Sequence, residues 1–267
     1  MQRFALWQSL HLSHGPARSY GYAWRLPSLA KTLGGVSLTR AELALSLDLF
    51  TLGRFAEAVQ VLPEGDALPE VVALRHALVL LRDETVPGPV PPGLAYLADC
   101  PEAMASFSSS SASEAHGHLM TLCQNWARQR RGESGCLRAN HLALARLRHL
   151  VPVWAAQGTA IHAESLFWQA PRWAGVWLDE ALAQIERYGQ HHLKVRMLGL
   201  KARALAAAGE LRESQRFHEL ACAWGQRQQA RLYMRLFTDT LPQPPVTGGK
   251  MAISSPLLIS ADSATTS

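Results

Sequence analysis

Two stretches decide how this chain is read. The first is Glu42-Leu43-Ala44-Leu45-Ser46-Leu47-Asp48-Leu49-Phe50-Thr51-Leu52-Gly53-Arg54-Phe55-Ala56-Glu57-Ala58. The second is Leu198-Gly199-Leu200-Lys201-Ala202-Arg203-Ala204-Leu205-Ala206-Ala207-Ala208-Gly209-Glu210-Leu211-Arg212-Glu213-Ser214. Laid over one another with Gly53 on Gly209, they share a small residue (Ser46, Ala202), a leucine (Leu49, Leu205) and the glycine itself. An apolar residue follows two places on (Phe55, Leu211), and a Glu–small pair closes each stretch. The glycine ends a first helix where left-handed backbone is needed. The apolar residue after the turn drops into the seam with a second helix, and the small residues let the two approach. Each stretch therefore predicts a helix–turn–helix hairpin.

Working outward, apolar residues recur at intervals of three and four along most of the chain, the spacing of a helix face. Ala and Leu dominate, β-branched residues are sparse, and period-2 alternation is hard to find, so the fold class is all-α. Helices are expected at 2–12, 17–33 (kinked or split at Pro27), 39–52, 55–62, 68–82, 114–131, 137–157, 160–169, 171–188, 191–208, 211–225 and 227–237. Composition shifts at Pro87-Gly88-Pro89-Val90-Pro91-Pro92-Gly93 and again at the serine run from Ser106 to Ser113. The predicted division is N-terminal helical repeats over 1–84, a Pro/Ser-rich linker or long loop over 85–113, C-terminal helical repeats over 114–238, and a disordered tail over 239–267.

The aligned stretches resemble the tetratricopeptide repeat, a helix–turn–helix unit of about 34 residues. The second copy, continued through Ala221 to Trp224-Gly225, is similar to the degenerate repeats C-terminal to the ATPase core of large bacterial signalling regulators of the LuxR type. The resemblance implies an α-solenoid whose first helices line a concave face that grips a partner segment. Carried over by position, those residues are Arg40, Leu43, Leu47 and Phe50 in one copy, and Arg196, Gly199, Arg203 and Ala207 in the other. Arg196 and Arg203 are seven apart, so the two guanidinium forks share a face and suit a carboxylate-bearing partner. No ATPase core accompanies the repeats: around Gly248-Gly249-Lys250, Pro244 stands where a P-loop needs its first glycine, and Met251 replaces Ser/Thr.

The net charge is +5, the pI about 9.3, and charged residues make up only 18% of the 267. Cys100, Cys123, Cys136 and Cys222 are scattered and read as small buried hydrophobes. The N-terminus carries no apolar signal core and no run is long enough to span a bilayer, so a cytoplasmic protein with no membrane partner is expected. His116-x-His118 and His191-His192 lack further metal ligands at suitable spacing, Gly132-Glu133-Ser134-Gly135 is not a nucleophile elbow, and no catalytic constellation stands out. No cofactor is implied. Trp154, Trp168, Trp173 and Trp177 crowd one stretch, as core packing or as a partner anchor. Arg128, Arg130, Arg131, Arg138, Arg146 and Arg148, with an Arg227/Arg231/Arg235 stripe, could meet phosphates. The expected function is a non-enzymatic protein–protein interaction module, a scaffold or regulatory adaptor. The alternative is a nucleic-acid-associated transcriptional regulator using the Arg-rich helices; a motif-free enzyme is the third reading.

Overall fold

The computed structural model describes residues 2–33, 37–65, 68–84, 90–104, 113–133 and 137–237, and helices are the only regular secondary structure among them. The expected tail, most of the serine run and Cys136 lie outside the described residues. In chain order the helices are α1 (Gln2–His14), α2 (Pro16–Ala23), α3 (Leu26–Leu33), α4 (Leu38–Thr51), α5 (Phe55–Val61), α6 (Pro69–Leu81), α7 (Glu114–Arg130), α8 (Leu137–Leu150), α9 (Pro152–Gln169), α10 (Gly175–Tyr188), α11 (Lys194–Ala208), α12 (Leu211–Gln228) and α13 (Arg231–Phe237). Short 3-10 turns occur at Pro92–Leu94, Pro101–Met104, Pro171–Trp173 and His191–Leu193.

The two decisive stretches form α4–α5 and α11–α12, and their joints are built alike. Gly53 and Gly209 are left-handed, with φ of 73° and 86°. The next N–H reaches back five residues, Arg54 to the Leu49 carbonyl at 2.8 Å and Glu210 to the Leu205 carbonyl at 2.9 Å, capping carbonyls the helix leaves open. One hydroxyl then pins each seam. Ser46 Oγ donates to the Ala58 carbonyl and Ser214 Oγ donates to the Ala202 carbonyl, both at 2.8 Å. Under the Gly53–Gly209 alignment these are the same two positions, with the serine moved to the opposite helix.

Two helix boundaries depart from expectation. Gly158 does not separate two helices. The break falls at Val151–Pro152, where proline takes the first helical position and its missing N–H is not needed. α9 then runs through Gly158, and a Cβ there would come within 2.8 Å of Leu122 Cδ1 and 3.0 Å of Leu144 Cδ2. The glycine is thus a packing notch in a helix interior. At the C-terminal end, α12 continues to Gln228, and Gln229 turns the chain with φ 58° before α13. Arg227 therefore sits on a different helix from Arg231 and Arg235, and the expected stripe is broken.

Within the 85–113 stretch expected as a linker or long loop, the described residues 90–104 contribute side chains to the core. Ala95, Tyr96, Leu97 and Met104 are buried in the same cluster as Leu49, Phe55 and Leu178. From α7 to α13 each helix packs on the next. The N-terminal helices do not extend that row: α1 lies on α9, α2 on α10 and α6 against α13. A side chain at Gly15, in the α1–α2 turn, would overlap the Tyr188 carbonyl at the end of α10. With so much apolar surface and so little charge, burying the faces of both halves against each other is favourable, at about 25 cal/mol per Å². Among the described residues no helix is long and apolar enough to cross a membrane.

Candidate functional site

The residues expected to grip a partner do not form one open face. On α4, Arg40 is exposed, Leu43 and Leu47 are half-buried against the core, and Phe50 is 5% exposed, in ring contact with Phe55 and His192. On α11, Arg196 is fully buried. Gly199 lies against Phe237, and Arg203 Nη2 donates to the Leu236 carbonyl at 2.6 Å. The face of α11 on which Arg196 and Arg203 were to receive a partner is covered by α13.

Arg196 instead centres a buried ion pair. α9 carries one carboxylate, Glu164, among Ala, Ile, Leu and Phe, and it is also fully buried. Arg196 Nε and Nη2 donate to its two oxygens at 2.6 and 2.7 Å, a bidentate fork. Trp126 Nε1, Trp168 Nε1 and the Tyr96 hydroxyl donate to the same carboxylate at 3.0, 3.3 and 3.0 Å. Arg196 Nη1 donates to the Tyr96 carbonyl, and Nη2 also reaches Asp99, which holds Arg130 at 2.6 Å. Tyr96, Phe237, Trp126 and Tyr233 surround the guanidinium with ring faces at 4.2 to 5.8 Å.

Burial alone would raise the Glu164 pKa. Arg196 and the indole donors reverse that and hold it below the usual carboxylate range. For Asp99 burial wins, so its pKa is raised despite Arg196 and Arg130. Five donors on one carboxylate leave no room for a substrate or a metal. The cluster can fasten α7, α9, α11 and the 90–104 segment together, and it engages Arg130, one of the arginines expected to meet phosphates. Arg131 is likewise engaged, with Glu133 and the Pro101 carbonyl.

A second carboxylate is buried in the N-terminal half. Asp48 on α4 accepts from Trp7 Nε1 at 2.9 Å and from Ser19 Oγ at 2.9 Å, and it meets His11 Nδ1 at 2.6 Å. It ties α1, α2 and α4 together. The tryptophans divide by role. Trp168 serves Glu164 beneath Arg130; Trp177 stacks on His141 and meets His162 edge-on; Trp173 is exposed. Burial pushes His162 down to about 4. His118 pairs with Glu114, and among the described residues no group of three or more metal-ligating side chains comes together.

The open site is a cleft of about 560 Å³ where the two related hairpins meet. Its first wall is the α4–α5 joint, Leu52 to Glu57; its second is the end of α12, from Trp224 to Gln229, with His191. Gln228 braces it, donating to the His191 carbonyl at 2.8 Å. Lys194 Nζ stands 3.7 Å from the Trp224 ring centre and Arg227 lies 5.3 Å from it. Arg54 holds Glu57 through both nitrogens, and Lys194 holds Glu186. Gly53, Phe55 and Glu57 of the first wall belong to the hairpin pattern, and Trp224 closes the second repeat copy, but nothing in the sequence brings the two walls together. No family model matches the chain, and neither a curated protein nor a solved structure does.

Proposed function

We propose that the chain is a non-enzymatic protein–protein interaction module of the tetratricopeptide-repeat type, a scaffold or regulatory adaptor, and that an acidic partner segment enters the cleft between its two related hairpins. The observation that carries this reading is the cleft's position: it lies between the two aligned hairpins, where the α4–α5 joint meets the C-terminal end of α12, and is the roomiest of the open clefts described. Its chemistry supports the partner class. Arg54 and Arg227, with Lys194 beside them against Trp224, outnumber Glu57 and Glu186, and each of those two carboxylates already has a cation. Trp224, between Lys194 and Arg227, is a ready anchor of the kind that concentrates binding energy. Arginine forks at the rim suit bidentate capture of carboxylates.

The test is affinity capture from the source cell's lysate with the tagged full chain, with nuclease present throughout, beside an Arg54→Glu/Arg227→Glu variant. A discrete protein retained by the native chain and lost by the variant supports the reading, provided the variant keeps its unfolding midpoint. An unchanged set of captured proteins overturns the cleft as the site. A catch that consists only of nuclease-sensitive nucleic acid overturns the protein-binding reading.

A further inference from the structure

The outer face of α8 combines charge and apolar exposure. The helix carries Arg138, His141, Arg146, Arg148 and His149 and no carboxylate. Arg138, His141, Leu142, Arg146 and His149 recur at three- and four-residue steps, so they share one side, and all are exposed. Arg148 meets Glu180 at 4.0 Å; Arg138 and Arg146 meet no carboxylate among the described residues.

The three most exposed large apolar side chains of the described residues are Leu142 of that stripe, at 62%, and Val176 and Trp173, at 78% each, in and just before the neighbouring α10. Leu142 follows His141, whose ring stacks on Trp177 of α10 at 5.5 Å and 23°. The stack brings α8 against α10 at Trp177, next in the chain to Val176, and Trp173 lies in the 3-10 turn that leads into α10. The nearby carboxylates on α10 are engaged, Asp179 by Lys201 and Glu180 by Arg148.

Two demands therefore fall on whatever covers this face. Guanidinium groups want phosphate, and a leucine, a valine and an indole want an apolar boundary layer. A nucleic acid meets the first demand and can stack on the indole, but it leaves Leu142 and Val176 in water. An anionic bilayer meets both, with lipid phosphates at the arginines and the headgroup–acyl boundary at the apolar trio. We propose that the α8–α10 face docks reversibly on an anionic phospholipid surface. The claim is independent of the hairpin cleft, which is built by α4, α5 and α12.

The test is co-sedimentation of the full chain with vesicles of phosphatidylcholine alone and of phosphatidylcholine with phosphatidylglycerol, at low and at physiological salt. The chain binds the anionic vesicles, more tightly at low salt, and leaves the neutral ones. Arg138→Gln/Arg146→Gln lowers partitioning roughly 25-fold, from about fivefold per arginine near an anionic surface. Leu142→Ser/Val176→Ser lowers it as well, and Trp fluorescence shifts to the blue in the native chain on binding. All four substituted side chains point outward, and equal thermal midpoints confirm intact folds. No binding to anionic vesicles at low salt overturns the proposal. So does binding that neither variant pair weakens. Binding that depends on the arginines but not on Leu142 and Val176, with equal affinity for a single-stranded oligonucleotide, overturns it in favour of a phosphate-only surface.

Discussion

Hairpins α4–α5 and α11–α12 make the same turn with the same backbone and then put equivalent residues to different use. Arg40 and Arg196 stand at matching positions, yet Arg40 faces solvent and Arg196 is sealed against Glu164. Phe55 and Leu211 also match, yet Phe55 is 1% exposed and Leu211 is 58% exposed. The turn is decided locally, by a glycine and the carbonyls it caps. The fate of each face is decided by what the rest of the chain lays upon it: α13 and the 90–104 segment over α11, and α2 and α3 over α4.

The sharpest contrast is between the two arginines. Arg196→Met leaves Glu164 buried and uncompensated and costs about 3–5 kcal/mol in urea unfolding. Arg40→Met stays within about 0.5 kcal/mol. Adding Glu164→Met to Arg196→Met recovers part of the loss, since no lone charge then remains inside. Equal costs for the two single variants would break the comparison. The residues after the turns should divide in the same way: Phe55→Ala costs about 3–5 kcal/mol and Leu211→Ala about 0.5 kcal/mol or less, by the same measurement.

Acid sharpens the comparison at the contact between the halves. His192 opens the second hairpin and packs on Phe50 of the first, and burial lowers its pKa to about 4, as it does for His162. Both are neutral in the fold, whereas an unfolded histidine takes up its proton near 6.5. Protons therefore favour the unfolded chain. Stability falls as the pH drops below about 6.5, by about 2 kcal/mol per histidine at pH 5, and the loss levels off below about 4. Urea midpoints at pH 7.5, 6 and 5 check this, and a flat profile would contradict the burial of both rings.

A smaller effect separates the turn glycines. Gly209→Ala carries only the left-handed penalty, about 1–2 kcal/mol, because nothing lies near its Cβ position. Gly53→Ala costs more, since the new methyl would overlap the Gln228 side chain that braces the cleft. Thermal unfolding of the pair ranks them.

Much of the architecture could be read before any coordinates. The 3.6-residue period gave the helices, and the Gly53 and Gly209 turns follow from conformational preference alone. Two kinds of feature could not be read that way. Gly158 looks like a stop, and only the leucines of α7 and α8 that fill its notch show it to be interior. The segment around Tyr96 looks like a connector because prolines surround it, and its role appears only when Arg196 is seen to hold its carbonyl. One signal was present in the sequence. Glu164 is the single carboxylate of α9, set between Ala163 and Ser165-Leu166-Phe167, and Arg196 lies between Val195 and Met197; two charges with apolar neighbours are candidates for one another. The cleft had no such signal, because it is made by chain segments some 170 residues apart.

The most direct test of this account is amide hydrogen exchange across α11 in the native full chain. With α13 and the Arg196 cluster closing its face, the amides from Met197 to Leu205 should exchange only through global unfolding, as slowly as the best-protected amides of α9. The cleft walls at Gly53–Phe55 and Gln228–Gln229 should exchange faster. Rapid exchange along α11 would contradict the account, because it would mean that the Arg196–Arg203 face stands open and that a partner could bind there instead.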